Sequence, residues 1–257
     1  MANDQPATKQ KRRYPGGVNA LRVLELLVDY PDGQGTTDIA EGLGMDAAQA
    51  NRLLSGLLSA EYVAKTDTSP ARYVITAKVL RLAARLLDQS DLLRVSRATM
   101  RRIRDQVGET VHLAAITGGE PVSVARELSR RSLSVMTRIG EVWPVNETAM
   151  GWVLQAFGGH IDPPERLLPR IARVKERGFA VDREEYVTGV VGITAPIFDY
   201  RGELVGALGL AGPVDRMPAD ELGIEDLGKL VADGALEISG HLGWIAQAPG
   251  GPRNETR

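Results

Sequence analysis

Few residues in the sequence have the types and spacing that chemistry requires, and the clearest group is a carboxylate cluster. Asp182, Glu184 and Glu185 could act together as general acid and base, or could hold a ligand and pin a loop. His112 stands in an alternating apolar stretch, where a buried core histidine and a groove histidine are the alternatives. The three histidines, at 112, 160 and 241, are too far apart for a helical pair of metal ligands. We therefore predict no metal site.

The motifs of common enzymes are absent from the sequence. The chain has no cysteine, which excludes disulfides, thiolate metal sites and cysteine nucleophiles. It has no Gly-x-Ser-x-Gly elbow and no phosphate-binding loop, and Gly206, Gly209 and Gly212 lack the strand-turn-helix context of a dinucleotide site. We expect no cofactor and no enzymatic activity. A small-molecule-binding enzyme and a protein-binding scaffold are the alternatives.

Length and composition bound the class of protein. A chain of 257 residues is long enough for two domains, and 43% hydrophobic with 25% charged residues is typical of a globular protein. No apolar run approaches the roughly 20 residues that span a bilayer, and no apolar stretch follows the basic N-terminus. We expect a cytoplasmic protein without a membrane partner.

Helical periodicity organises the N-terminal third. Residues 18–30 have apolar side chains at helical spacing, and a second short helix is predicted from a Thr36 or Thr37 cap to Gly44. Asp46 then opens a third helix, with Gln49 at capping-box spacing. Two helices joined by a tight turn, the second with a small and polar outer face, indicate a helix-turn-helix.

Two short strands follow this third helix, at residues 62–65 and 72–75, and are predicted to form a wing. Charge argues against strong DNA binding, because residues 15–78 contain five basic and eight acidic side chains. The basic arm of residues 1–17 could offset this by entering the minor groove. A small bundle that mediates protein contacts is the alternative.

The rest of the chain alternates helices with hairpins. The helix at 76–89 has a broad apolar face that suggests dimerisation as much as intrachain packing. Residues 111–127 and 192–210 have the pattern of two hairpins. Further helices are predicted at about 91–107, 148–156, 165–177 and 220–246. This mixture predicts an antiparallel sheet flanked by helices.

One stretch is specific enough to suggest a family. Residues 178–185 (GFAVDREE), then six residues, then 192–199 (GITAPIFD) resemble the signature of IclR-type bacterial transcriptional regulators. Supporting matches lie at 108–111, Gly140, Pro144, 148–149, Gly151 and 206–213, so the resemblance extends from about 18 to 246.

The resemblance implies an α+β fold with an N-terminal winged helix-turn-helix, a linker helix and a C-terminal GAF-like antiparallel sheet flanked by helices. It implies a regulator that binds palindromic operator DNA as a homodimer or tetramer and responds to a small-molecule effector. The expected effector is a carboxylate-bearing or aromatic acid. The expected domains are a disordered basic arm (1–17), the DNA-binding domain (18–75), the linker helix (76–92), the effector-binding domain (93–246) and a flexible tail (247–257).

The resemblance also assigns candidate site residues. DNA contacts are expected from the second and third helices and the wing, at Thr37, Ala48, Gln49, Asn51, Arg52, Lys65 and Arg72. Effector contacts are expected at Trp143, Thr148, Ala149, Met150, Gly151, Asp182, Gly192, Ile193, Gly209 and Ala211.

Several positions depart from the family pattern. Gly192 replaces the usual Cys, Ser or Ala, and Thr194 replaces a smaller residue. Gly209 and Ala211 stand where some relatives that bind very small acids have serines, so two hydroxyl donors are missing. The resemblance therefore implies a larger or less polar effector. Residues 47–49 replace the Lys, Ser and Thr common in the recognition helix, which leaves base reading mainly to Gln49, Asn51 and Arg52.

Overall fold

The computed structural model describes residues 15–159 and 161–245. Contacts divide the chain into two compact units, with the boundary between Leu86 and Leu87. The predicted tail and most of the predicted arm lie outside the described residues. The arm was predicted to extend through residue 17, which is wrong at its end. The Pro15 carbonyl accepts from the Asn19 N–H at 3.1 Å, so Gly16 and Gly17 already belong to the first helix.

The first unit contains three helices and a two-stranded sheet around a small apolar core. Val23 of the first helix, Ile39 of the second and Leu54 of the third are completely buried against one another. The strands pair in antiparallel register, with Val63 opposite Ile75. The elements are α1 (Gly16–Val28), α2 (Thr36–Leu43), α3 (Ala47–Ser59), β1 (Val63–Lys65) and β2 (Tyr73–Ile75).

The turn between α2 and α3 has the predicted geometry, but α2 begins differently. Gly44 ends α2 with a φ of 67°, a left-handed conformation that a glycine adopts without steric cost. The predicted threonine cap is wrong, because Gly35 occupies the cap position and its N–H donates to the Asp38 carboxylate at 3.2 Å. Asp46 caps α3 as predicted, by accepting from the Gln49 N–H at 2.7 Å.

The fourth helix, α4 (Ala77–Asp88), has no buried residue. Leu80 and Leu86 are 68% and 72% exposed. A helix with this much exposed apolar surface is typical of an interface with another chain.

The second unit is a five-stranded sheet with helices on both faces. The strand order is β4-β3-β7-β6-β5, and every neighbouring pair is antiparallel. The elements are α5 (Asp91–Val107), β3 (Thr110–Thr117), β4 (Glu120–Glu127), α6 (Ala149–Phe157), α7 (Leu168–Arg177), β5 (Ala180–Arg183), β6 (Val190–Phe198), β7 (Leu204–Pro213) and α8 (Glu221–His241).

The two faces of this sheet form two cores. Strand side chains such as Leu113, Ile193 and Leu208 pack against α5 and α8. Alternate positions face α6 and α7, where Ala114 and Ala207 lie against an apolar layer. Because side chains alternate across a strand, each strand contributes to both cores.

Strand β5 was not predicted as a separate element, although its sequence was recognised. It has four residues, and its register places Asp182 opposite Gly192. The closing helix also ends earlier than residue 246, at His241.

Candidate functional site

The outer face of α3 is exposed and polar. Ala48, Asn51, Arg52 and Ser55 are all exposed, whereas Gln49 is half-buried at the edge of the helix. Among the described residues, neither Arg52 nor Asn51 has a side-chain hydrogen bond or ion pair within the protein. Their polar groups are therefore available to a partner outside it.

The wing and the start of α2 lie in the same unit. Thr37 is exposed in the first turn of α2. Arg72 is exposed in the wing, but its Nη1 donates to the Gly33 carbonyl at 3.2 Å, which holds the guanidinium against the turn before α2. The Lys65 Nζ lies 5.5 Å from the centroid of the Tyr73 ring. Lys65 remains exposed and can extend away from the wing.

A cavity of about 180 Å³ lies over the α6 face of the second sheet. Its lining is largely apolar, and none of the lining residues is an arginine or lysine. The lining residues are His112, Val135, Met136, Thr137, Glu141, Trp143, Thr148, Ala149, Met150, Asp182, Tyr186, Val187, Val190, Gly192, Thr194 and Ala211. We call this the sheet pocket.

Strand register brings the floor of the sheet pocket together. Asp182, Gly192 and Ala211 are consecutive partners across β5, β6 and β7. In the next row, Thr194 pairs with Gly209, which pairs with His112 of β3. Gly209 lies beneath the pocket, since a Cβ there would come closer than 3.0 Å to the His112 ring and the Met150 methyl group.

The N-terminus of α6 forms one wall. Thr148 caps the helix by accepting from the Gly151 N–H at 3.1 Å, while its own hydroxyl donates to the Pro144 carbonyl at 2.8 Å. The N–H groups of Ala149 and Met150 have no acceptor among the described residues, as is usual in the first turn of a helix. Both residues line the pocket, so they can present N–H groups and the positive end of the helix dipole to an anion.

Asp182 ties down the loop that forms the opposite edge. Its carboxylate accepts from the Glu185 N–H at 2.9 Å and the Tyr186 N–H at 3.4 Å. Burial raises the pKa of Asp182, which the two N–H donors only partly oppose. Glu184, with a φ of 60°, accepts from the Gly189 N–H at 2.8 Å and closes the same loop. Asp182 and Glu184 of the carboxylate cluster therefore hold the loop between β5 and β6 in place.

His112 is the main pocket residue that was not assigned to the effector site. It is buried, and burial lowers its pKa from 6.5 to about 4, so the imidazole is neutral at pH 7. Its ring lies 5.4 Å from that of Trp143, tilted by 30°. Among the described residues, its Nδ1 has no hydrogen-bond partner. Strand pairing with Gly209, a candidate position, could have identified it.

A second group of lining residues came from an irregular segment. Residues 135–141 contribute to the pocket, and no periodic pattern identified them. An ion cluster fixes the start of this segment, because buried Glu109 accepts from Arg131 at 2.8 Å and from Arg216 at 2.6 Å. Arg216 also donates to the Leu133 carbonyl at 2.8 Å.

The effector candidates divide according to where their side chains lie. Ile193 faces the α5 and α8 core, on the side of the sheet away from the pocket, because it alternates with Gly192 and Thr194. Its assignment to the effector site was wrong for this reason. Gly151 lies against the Val145 backbone and does not line the cavity. Seven candidates line it directly: Trp143, Thr148, Ala149, Met150, Asp182, Gly192 and Ala211.

Within residues 15–159 and 161–245, no group of three or more His, Cys, Asp or Glu residues could hold a metal ion. None of the helices in the same ranges is both long and apolar enough to cross a bilayer.

Comparison with known families gives matches over most of the chain. Residues 18–67 match the IclR helix-turn-helix domain. Residues 84–162 and 158–240 match the C-terminal domain of the bacterial transcriptional regulator IclR.

Individual proteins and structures agree with these matches. The HTH-type transcriptional regulator KdgR of Escherichia coli is 28% identical over 229 residues, which cover 82% of this chain and 86% of that protein. The crystal structure of an IclR regulator from Silicibacter has a TM-score of 0.76 and 25% identity, covering 93% of this chain and all of the other. An IclR homolog from Microbacterium hydrocarbonoxydans, complexed with 4-hydroxybenzoate, has a TM-score of 0.71 and 20% identity, covering 89% and 99% of the two chains.

Proposed function

The chain belongs to the IclR family of transcriptional regulators, a premise from which we propose how it reads DNA and what its effector is. It is a DNA-binding regulator with an effector-binding C-terminal domain, and not an enzyme. The proposal has two parts. The exposed face of α3 reads an operator, and an aromatic or other largely apolar carboxylic acid occupies the sheet pocket.

The DNA part rests on the unpartnered polar face of α3 after a capped turn. Arg52 would contact a guanine edge, and Gln49 and Asn51 would contact an adenine edge, because these side chains match those bases in the major groove. Thr37, Lys65 and Arg72 are placed to contact the phosphate backbone. Ala48 gives α3 a small side chain where the helix approaches the groove.

We propose that the regulator acts as a homodimer or tetramer on a palindromic operator. The exposed leucines of α4 support this, since a second copy would cover them. Two-fold symmetry of the protein would then be matched by two half-sites in the DNA.

Arg52→Ala is expected to weaken specific operator binding by about tenfold, the effect of losing one good base contact. The measurement is fluorescence anisotropy of the full-length protein with the DNA upstream of its own gene, and with scrambled DNA, over a range of salt concentrations. Arg97→Ala is the matched control, because it removes an exposed arginine from the second unit. Equal affinity of the wild type for both DNAs, or equal losses in both variants, would contradict the assignment.

The effector part rests on the N-terminus of α6 in a pocket without cationic side chains. A carboxylate at this end of the helix would accept from the Ala149 and Met150 N–H groups, and Thr194 offers a further hydroxyl group. The tilted pair of His112 and Trp143 offers aromatic surface to the body of the acid. A very small acid would leave this surface uncovered, which favours an aromatic one.

Gly192→Leu is expected to lower the affinity for such an acid by about tenfold or more, since the new side chain occupies the pocket. The backbone accepts it, because a Cβ at 192 would meet only the Asp182 Cβ, at 3.9 Å. Titration calorimetry with benzoate and 4-hydroxybenzoate gives the affinity, and acetate and benzyl alcohol test the need for the ring and the charge.

Ile193→Val is the control for this experiment, since its side chain lies on the opposite face of the same strand. It should lower the free energy of unfolding by about 1 kcal/mol and leave acid affinity unchanged. If Gly192→Leu binds the acids as well as the wild type does, the ligand lies elsewhere. The acid should also shift operator affinity, because a ligand that prefers one conformation changes its population.

A further inference from the structure

A second concave site lies on the same unit as the sheet pocket but is lined by different elements. It is a cleft of about 400 Å³ between α7, β5 and the start of α8. We call it the arginine cleft, because five arginines line it: Arg166, Arg170, Arg173, Arg177 and Arg183.

The arginines converge because of helical spacing. Arg166, Arg170, Arg173 and Arg177 are separated by four, three and four residues, so they lie along one side of α7 and the turn before it. Arg183 joins them from β5. Three arginines of α7 and one from the turn before it therefore line the same concavity, where their positive charges add up.

Acidic neighbours compensate only part of this charge. Arg170 pairs with Glu185 at 2.6 Å, and Arg177 pairs with Glu221 and Glu225. Even with all three glutamates counted against the five arginines, the cleft has a formal charge of +2. Among the described residues, three of these arginines have no ion pair: Arg166, Arg173 and Arg183. Arg183 donates instead to the Pro218 carbonyl at 2.9 Å.

Aromatic rings at the base hold two of the guanidinium groups in place. The Arg170 guanidinium lies 4.0 Å from the centroid of the Trp152 ring, and that of Arg177 lies 5.9 Å from the centroid of Phe179. Stacked guanidinium groups lose less freedom when they bind an oxyanion. Among the described residues, the buried Trp152 Nε1 has no hydrogen-bond acceptor.

We propose that the arginine cleft is a second small-molecule site, which binds an organic oxyanion with two or more negative charges. Planar guanidinium groups bind carboxylate and phosphate oxygens through paired hydrogen bonds, so phosphate esters and polycarboxylates share the required chemistry. The cleft volume lies within the range of ordinary ligand sites. This cleft with an excess of positive charge and the sheet pocket, whose lining has no arginine or lysine, select different classes of ligand.

The test uses titration calorimetry on the full-length protein at a constant ionic strength of about 0.15 M, where exposed charges are screened beyond about 8 Å, with pyrophosphate and citrate as separate probes. The double variant Arg166→Gln with Arg173→Gln is expected to bind the preferred probe about tenfold more weakly. Glu185→Gln is expected to bind it about threefold more tightly, because the charge that competes for Arg170 is removed. Whichever probe binds more tightly identifies phosphate or carboxylate as the preferred group.

The matched control is Lys175→Gln with Arg97→Gln, which removes two positive charges from exposed positions outside the cleft. Its affinity should stay within about twofold of the wild type, since surface charges act weakly at a distance. Equally weakened probe binding in both double variants would show that the probes respond only to the overall charge of the protein, which would overturn the proposed site. The proposal is equally overturned if neither probe binds, or if Glu185→Gln weakens binding.

Discussion

Gly151→Ala is expected to lower the free energy of unfolding by about 3 kcal/mol, although alanine is the better helix former. A Cβ at 151 would lie closer than 3.0 Å to the Val145 carbonyl oxygen and Cα. Both atoms belong to the backbone, so no rotation of a side chain relieves the overlap. The turn before α6 must move, and Trp143 and Thr148 of the sheet pocket move with it.

Chemical denaturation of the two proteins measures this change. Gly240→Ala is the control, because it is the same substitution within helix α8, where nothing lies within 4 Å of the new Cβ. The control should be neutral or up to about 1 kcal/mol more stable. Equal unfolding free energies for Gly151→Ala and the wild type would show that the turn does not pack against the helix as described.

The titration of His112 is expected to lower the free energy of unfolding by about 3 kcal/mol as the pH falls from 6.5 to about 4. In the unfolded chain the imidazole takes up a proton near pH 6.5. In the folded protein burial lowers its pKa to about 4, so protonation requires a more acidic solution. The unfolded state therefore binds more protons between these values, so stability rises with pH across the window. Above pH 6.5 this contribution no longer changes.

The measurement is the pH dependence of the unfolding free energy for the wild type and for His112→Asn, which cannot titrate. The carboxyl of Asp182 lies in the same pocket, and its raised pKa acts in the opposite direction, because the folded state holds that proton more tightly. Glu141 also lines the pocket. Subtracting the two curves removes most of the carboxylate contributions. Parallel curves would mean that the imidazole reaches water in the folded protein.

Local chemistry in the sequence was sufficient to predict most of the fold. The apolar stripe of α3, the Asp46 cap and the left-handed Gly44 define a helix-turn-helix before any tertiary contact is known. Predictions that depended on which of several adjacent residues makes a hydrogen bond were less secure. At α2, Asp38 bonds to the Gly35 N–H, and the two threonines next to it looked equally suitable as caps.

Residues of the candidate site could be predicted from the sequence only where a periodic pattern or the family signature identified their positions. Gly192 and Asp182 belong to the recognised signature and both line the sheet pocket. The signature does not indicate that Ile193 lies on the opposite face of the strand. Strand β5 was missed because its four residues, two apolar followed by two charged, give no alternating apolar signal. The irregular segment at 135–141 has no period at all, so only its tertiary contacts show that it lines the pocket.

The pairing of Gly209 with His112 links two positions that are 97 residues apart in the chain. Because the His112 ring fills the space that a Cβ at 209 would need, position 209 cannot enlarge alone. Among relatives, a serine or larger residue at 209 should accompany a residue smaller than histidine at 112. A change of effector that requires a larger residue at this part of the floor therefore needs two substitutions. An intermediate with only the substitution at 209 must accept a displaced strand or a displaced His112 ring.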